Sequence, residues 1–153
     1  MCEHSVHVPL IISGPGIPTG QKRDAFCYLL DIFPTLCDLI GISIPGSVEG
    51  RSLAPILRDS KRKGRRTLFF AYKDVQRGVR NERYKLIEYV VNGKQTTQLF
   101  DLQSDPWELN NLADKAEYNK QLKLLRKELL KCKQELNDSS KFWQLSSFHE
   151  QLI

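Results

Sequence analysis

YKLIEYVVNGKQTTQLFDLQSDPWELNNLA, residues Tyr84 to Ala113, reads as a β-hairpin tied down at its end by a compact acidic turn. Tyr84 to Val91 is rich in aromatic and β-branched residues, Asn92-Gly93 suits the positive φ angles of a two-residue turn, and Thr96 to Leu102 returns as a second strand. Asp101 and Asp105-Pro106 stop the ladder, because proline has no N–H to donate. Trp107, Leu109 and Leu112 are expected to act as apolar anchors that fold the turn back onto the sheet. Outward from the hairpin, Leu68 to Tyr72 and Gly78 to Arg80 extend it to a sheet of three or four antiparallel strands. The next segment should cover that sheet as a helix. Asp114 and Glu117 are read as a capping box, and Tyr118, Leu122, Leu125, Leu129, Cys132 and Leu136 recur at spacings of four and three. Lys115, Lys120, Lys123, Arg126, Lys127, Lys131 and Lys133 then form the basic opposite face. A charged face opposite an apolar stripe is the ordinary pattern of a surface helix.

Upstream, Val8, Pro9, Leu10, Ile11 and Ile12 form an apolar run closed by Ser13-Gly14-Pro15-Gly16, the pattern of a strand buried on both faces of a mostly parallel sheet. Such a strand needs neighbours on both sides, and only seven residues precede it. This predicts that Met1 lies inside a domain; the competing reading is an edge strand of a small self-contained α+β fold. Ala25 to Leu30 reads as a short strand. Asp31 caps a helix running to Ile40 and Gly41 ends it, with Pro34 tolerated in the first turn. Leu36, Leu39 and Ile40 give that helix an apolar face for core packing. Gly41 to Gly50 is a loop and Arg51 to Leu57 a short helix. Lys61 to Arg66, five cations in six residues, is the sharpest shift in composition. It reads as a solvated linker at a domain boundary, in preference to a contact for a polyanion or an acidic membrane surface.

The chain has 153 residues, 41% of them hydrophobic, enough for one domain or for the remnant of one with a small second domain. No stretch approaches the roughly 18 apolar residues of a membrane span, and the short charged N-terminal segment does not resemble a secretion signal. The formal charge of +5 is mild, and no aromatic residue interrupts the basic run, which argues against nucleic acid as a partner. The cysteines, spaced by 25, 10 and 95 residues, fit no zinc pattern and are expected as buried free thiols. His4 and His7 would face opposite sides of a strand approach and do not pair as ligands. In the tail, Phe142, Leu145, Phe148 and Leu152 recur at near-helical spacing.

VPLIISGPGI (Val8 to Ile17), DIFPTLCDLIGI (Asp31 to Ile42), EGRSLAPIL (Glu49 to Leu57) and the hairpin with its turn, in this order and spacing, resemble the C-terminal part of a sulfatase of the alkaline-phosphatase-like superfamily. The resemblance runs from about Glu3 to Ala113 and more loosely through the following helix. The fold class it implies is the remnant of an α/β (alkaline-phosphatase-like) domain followed by an α+β C-terminal subdomain with a small antiparallel sheet covered by a helix. In this division residues 1–60 end the α/β domain, 61–137 form the subdomain and 138–153 are a tail.

A complete parent would hydrolyse sulfate esters, with glycan sulfates among the candidates, using a bound calcium ion and a formylglycine made from the Cys or Ser of a C/S-x-P-x-R motif. That motif is absent: Cys2, Cys27, Cys37 and Cys132 are followed two residues later by His4, Leu29, Leu39 and Gln134. The family's catalytic His, Asp-rich calcium ligands and active-site Lys would all precede Met1. No Asp/Asn cluster here is spaced to supply the roughly six to eight oxygens that calcium takes. Neither a catalytic residue nor a cofactor is expected in this chain.

In sulfatases, the loop equivalent to Tyr72-Lys73-Asp74-Val75-Gln76-Arg77 reaches the mouth of the active site. Lys73, Gln76 and Arg77 are therefore the candidate substrate contacts of a complete parent, the cations for a sulfate or carboxylate and Gln76 for hydroxyls. Many relatives have Arg where His7 stands. The resemblance also implies a sulfated small molecule or glycan as partner, an N-terminal catalytic region packed on residues 1–60, and a periplasmic, secreted or lysosomal parent. Two alternatives stay open: a fragment of a related phosphodiesterase or phosphonate hydrolase, and a non-catalytic interaction or polyanion-binding module.

Overall fold

The computed structural model describes residues 1–145. In chain order the elements are α1 (Glu3–Val6), a 3-10 turn (Leu29–Asp31), α2 (Ile32–Ile40), α3 (Ala54–Arg58), β1 (Leu68–Tyr72), β2 (Gln76–Arg80), β3 (Tyr84–Val91), β4 (Lys94–Asp101), a second 3-10 turn (Ala116–Tyr118), α4 (Asn119–Glu135) and α5 (Phe142–Leu145). The chain divides into two compact units, one of Pro9–Arg66 and the other of Met1–Val8 with the described residues from Thr67 onward. No described helix is long and apolar enough to cross a membrane.

The second unit is built on an antiparallel sheet of order β1-β2-β3-β4, each strand paired with its sequence neighbour. The β3–β4 register runs from Tyr84 opposite Asp101 to Val91 opposite Lys94. Asn92 (φ 51°) and Gly93 (φ 74°) close it, two successive left-handed residues whose twist matches that of the strands. Alternation places Val79, Leu86, Val90 and Leu99 on one face, where they pack with Leu125, Leu129 and Cys132 of α4 and with Phe142 and Trp143. The expected cover helix is therefore present. Its capping box is not, because Asp114 precedes a 3-10 turn, Glu117 lies within that turn, and α4 begins behind Tyr118 without a side-chain cap. Leu136 is 58% exposed, whereas Arg126, read as part of the basic face, is buried. Arg126 Nε donates to Glu88 Oε1 at 2.8 Å, and Glu88 Oε2 accepts from Thr97 Oγ1 at 2.6 Å. Burial pushes the Glu88 carboxyl up, against the pull of Arg126 and Thr97.

The acidic turn is held differently from expectation. Trp107 and Leu109 are 64% and 78% exposed, so of the three apolar residues only Leu112 anchors. The turn is secured by hydrogen bonds of its backbone and of one side chain: Leu112 N–H donates to Leu99 O at 2.8 Å, and Leu99 N–H donates to Asn111 Oδ1 at 2.9 Å. His4 lies within α1, a helical turn and not a strand approach, and its ring stands 5.1 Å from that of Trp107. In the tail Phe142 is fully buried and Leu145 exposed, while Phe148 and Leu152 lie outside the described residues.

In the Pro9–Arg66 unit, Asp31 is fully buried and organises its surroundings. Its carboxylate accepts from Tyr28 N–H (2.7 Å), from Arg51 N–H (2.8 Å) and from both terminal nitrogens of Arg65 (2.5 and 2.8 Å). Asp31 is thus the residue before α2 but does not cap it with its side chain. The Thr35 hydroxyl takes a neighbouring role, donating to Asp31 O and accepting from Leu53 N–H. Gly41 ends α2 in the left-handed region as predicted.

Several expectations fail here. Val8 to Ile12 forms no strand, since no described strand lies beside it to complete a ladder, and Ile11 is 91% exposed. Ala25 to Leu30 contributes a single bridge, Phe26 to Arg65, before the 3-10 turn. The buried face of α2 is Pro34, Thr35 and Cys37, while Leu36 and Ile40 are exposed. Arg65 is no linker residue, being fixed on Asp31 and stacked 4.8 Å over Tyr28. Cys37 and Cys132 are buried, Cys27 is half-buried and Cys2 is exposed, and all four are free thiols.

Two substitutions test this packing. Arg126→Leu leaves the Glu88 carboxylate buried without its cation and should cost about 3–5 kcal/mol in urea unfolding, while Glu88→Leu combined with Arg126→Leu should recover most of that loss. A Cβ at Gly50 would lie 2.1 Å from Leu30 O, so Gly50→Ala should lower stability by about 1–3 kcal/mol or more through forced backbone movement.

Candidate functional site

The Tyr72–Arg77 turn joins β1 to β2, and its three candidate residues meet different fates. Lys73 is exposed in the left-handed region at φ 46°, its ammonium 5.5 Å over the Tyr72 ring. Gln76 is 5% exposed, and its side-chain nitrogen has no hydrogen-bond partner among the described residues. Arg77, next in the same strand and so directed to the opposite face, is 3% exposed. Its five N–H donors are all engaged. Nε meets Asp138 Oδ2 at 2.6 Å, Nη1 meets Lys73 O at 2.6 Å and Gln76 O at 2.7 Å, and Nη2 meets Asp138 Oδ1 at 3.2 Å and Ser140 Oγ. The turn is therefore clamped through its carbonyls by a guanidinium that has no donor left for an anion.

Asp138 completes the clamp and also accepts from Trp143 Nε1 at 2.9 Å. Burial alone would raise its carboxyl, but hydrogen bonds from Arg77, Trp143 and Ser140 outweigh burial and hold it well below the ordinary carboxylate value of 3.8. Sequence reasoning missed this partnership because Arg77 and Asp138 stand 61 residues apart.

A second polar cluster lies on the other face of the sheet. The Lys85 side chain has no exposed surface, and its Nζ lies 3.0 Å from Glu3 Oε1 and 2.8 Å from Glu108 Oε1, the latter outside hydrogen-bond alignment. Glu3 also pairs with Arg80, and its N–H donates to Glu108 Oε2 at 2.7 Å. The available signal was a lysine alternating with Ile87, Tyr89 and Val91 along one side of β3, which cannot stay buried without carboxylates.

Neither cluster forms a nucleophile-and-base pair. Burial pushes the Cys132 thiol up to about 11 and also raises Cys27, which disfavours the thiolate form in both. Among the described residues no three His, Cys, Asp or Glu side chains converge as a metal site, so they do not fit calcium.

A family model described as "N-sulphoglucosamine sulphohydrolase, C-terminal" matches residues 1–135. The Delta 4,5-hexuronate-2-O-sulfatase of Bacteroides thetaiotaomicron is 39% identical over 131 residues, covering 77% of this chain and 26% of that protein. The solved structure of a 2-O GAG sulfatase superposes with a TM-score of 0.69 at 34% identity, over 88% of this chain and 30% of that one. A protein solved in complex with its substrate, D-glucosamine-2-N,6-O-disulfate, superposes with a TM-score of 0.64 at 28% identity, over 71% of this chain and 24% of that one. The chain spans about a quarter of the length of the curated relatives it matches.

The clamp makes an acid-stability prediction. Because the folded value of Asp138 is depressed, its contribution is complete above about 3.8 and is lost as pH falls toward the folded value. Thermal unfolding followed downward from neutral pH should therefore show stability falling below about pH 4. Arg77→Met should cost roughly 2–3 kcal/mol at neutral pH, discounted for the partial exposure of Asp138, and flatten the acid limb. An acid limb as steep in the variant as in the parent would show that Arg77 does not set the Asp138 carboxyl.

Proposed function

Because the chain belongs to the N-sulphoglucosamine sulphohydrolase C-terminal family of sulfatases, we propose that it is the C-terminal portion of an enzyme whose complete form hydrolyses sulfate esters on glycans. The observation that carries this reading is the family match over residues 1–135, supported by the superposition of sheet and helices on glycan-sulfatase structures. The sulfatase fold is of the alkaline-phosphatase-like type, and the four-stranded sheet with its helices is the part of it formed here.

The chemistry of sulfate-ester cleavage is assigned to the remainder of the complete protein, where formylglycine and calcium would supply nucleophile and Lewis acid. No cysteine of this sequence lies in a C/S-x-P-x-R motif, and its described residues do not fit calcium. The exposed apolar side chains Phe33, Leu36 and Ile40 on α2, with Leu29 and Ile11, suit packing against that remainder.

What this chain adds is a substrate-facing turn. Lys73, exposed, offers an ammonium for a sulfate or carboxylate, and Gln76 offers an amide whose nitrogen lacks a protein partner. Arg77 is not a direct contact in this reading but a positioning residue that fixes the carbonyls of Lys73 and Gln76.

On its own the purified chain should give no turnover of a chromogenic aryl sulfate with calcium present, and turnover surviving rigorous purification would overturn the assignment of the chemistry elsewhere. In the complete enzyme, Lys73→Ala and Gln76→Ala should each raise KM for a sulfated disaccharide about tenfold with kcat little changed. Unchanged KM in both would remove the turn from the substrate site.

A further inference from the structure

Between Pro9 and Arg66 the sequence carries nine cations and five carboxylates, net +4 of the chain's +5, so nearly all the excess charge sits in this unit. Much of it surrounds one cavity of about 240 Å³, with Phe26 and Ile56 among its apolar walls and Arg51, Arg62, Lys63 and Arg65 around them. The four cations are not equivalent. Arg65 is committed to Asp31 through two hydrogen bonds, which neutralises both and fixes the end of the basic run. Arg62 has only a long, exposed contact with Asp59, 4.0 Å away. Arg51 and Lys63 are exposed and have no carboxylate within ion-pair distance among the described residues. The Arg51 backbone is itself held by Asp31, through its N–H at 2.8 Å.

One buried carboxylate thus anchors both sides of a cavity at which Arg51 and Lys63 are uncompensated and Arg62 has only its long contact with Asp59. Unpaired like charges facing a recess with apolar walls repel one another and focus a positive field into it, and an anion placed there relieves both effects. The volume lies below the ~300 Å³ at which pockets begin to hold drug-sized ligands, which suits a single charged substituent or one sugar ring.

We propose that this cavity is an anion-binding site for a sulfate group carried on a carbohydrate chain, separate in sequence from the Tyr72–Arg77 turn. The run Lys61–Arg66 has no aromatic side chain on which bases could stack, which disfavours nucleic acid. The choice of sulfated carbohydrate over other polyanions rests on the sulfatase reading above, whereas the existence of the site does not. Its role is to hold one sulfate of a polymeric substrate while another part of the same polymer is processed, raising the local concentration of the polymer and leaving small substrates unaffected.

The test uses the full chain and a heparin hexasaccharide titrated at low salt, with single-stranded DNA of matched charge in parallel. Arg51→Ala combined with Lys63→Ala should weaken hexasaccharide binding at least tenfold. Lys123→Ala combined with Lys127→Ala, which removes the same charge from exposed positions on α4, should change it less than about threefold. All four positions are exposed, so thermal melts should confirm folding, and Lys63→Gln alone serves as a milder variant expected to give a smaller loss. Equal losses in the two double variants would reduce the effect to general charge and overturn the site. No measurable binding by the unmodified chain would also overturn it, and DNA bound as tightly as hexasaccharide would overturn the carbohydrate assignment. None of these results depends on sulfate-ester turnover in the complete enzyme, so the two readings fail independently.

Discussion

An ammonium group with no exposed surface sets the terms for one whole face of the sheet. Lys85 sits within β3 between Leu86 and Tyr84, and a charge removed from water there is tolerable only with carboxylates at contact distance. Glu3 and Glu108 supply them from segments remote in sequence, so α1 and the acidic turn are both drawn to the same strand. Glu108 adopts the left-handed region at φ 57°, a conformation costly for a residue with a Cβ. The ion pair of its side chain with Lys85 and the hydrogen bond it accepts from the Glu3 N–H account for its retention. The opposite face answers to the hydrophobic effect, with α4 laid over Val79, Leu86 and Leu99. The two faces of one sheet are thus closed by different forces.

The parts legible in the sequence are those that local chemistry fixes. Asn92-Gly93 specifies its turn whatever surrounds it, and the alternation through Tyr84 to Val91 specifies a strand. The four-and-three spacing of Leu122, Leu125, Leu129 and Cys132 likewise marks one helix face. The parts that were not legible depend on distant partners. Val8 to Ile12 has a strand composition, but a strand also requires a neighbour. Arg126 sits among six lysines of the basic face, yet a buried carboxylate on β3 turns it inward. Trp107 and Leu109 were read as anchors on hydrophobicity alone, whereas the turn is secured by Asn111 and by a backbone hydrogen bond of Leu112.

The candidate site shows the same division. Similarity to sulfatases drew attention to Lys73, Gln76 and Arg77 as a group, but strand alternation separates Gln76 from Arg77 by a full sheet thickness of chemistry. Only the three-dimensional partners of Arg77, at Asp138 and Ser140, distinguish a side chain that organises the turn from those left available on it. The basic run reads in the sequence as a solvated linker for a related reason. Its organising contact, Arg65 to Asp31, spans 34 positions and has no local signature.

The route by which Lys85 loses its water follows from connectivity. Strands β1 to β4 form a meander in which every pairing joins sequence neighbours, so the sheet can close through short loops at small entropic cost. Glu3 lies 82 positions from Lys85, and closure over that separation repays nothing until the meander exists to receive it. Contact order therefore places the docking of the N-terminal turn after assembly of the sheet. On that ordering the ammonium would keep its water until the N-terminal turn arrives, and its sealing would be a late event in the folding of the unit.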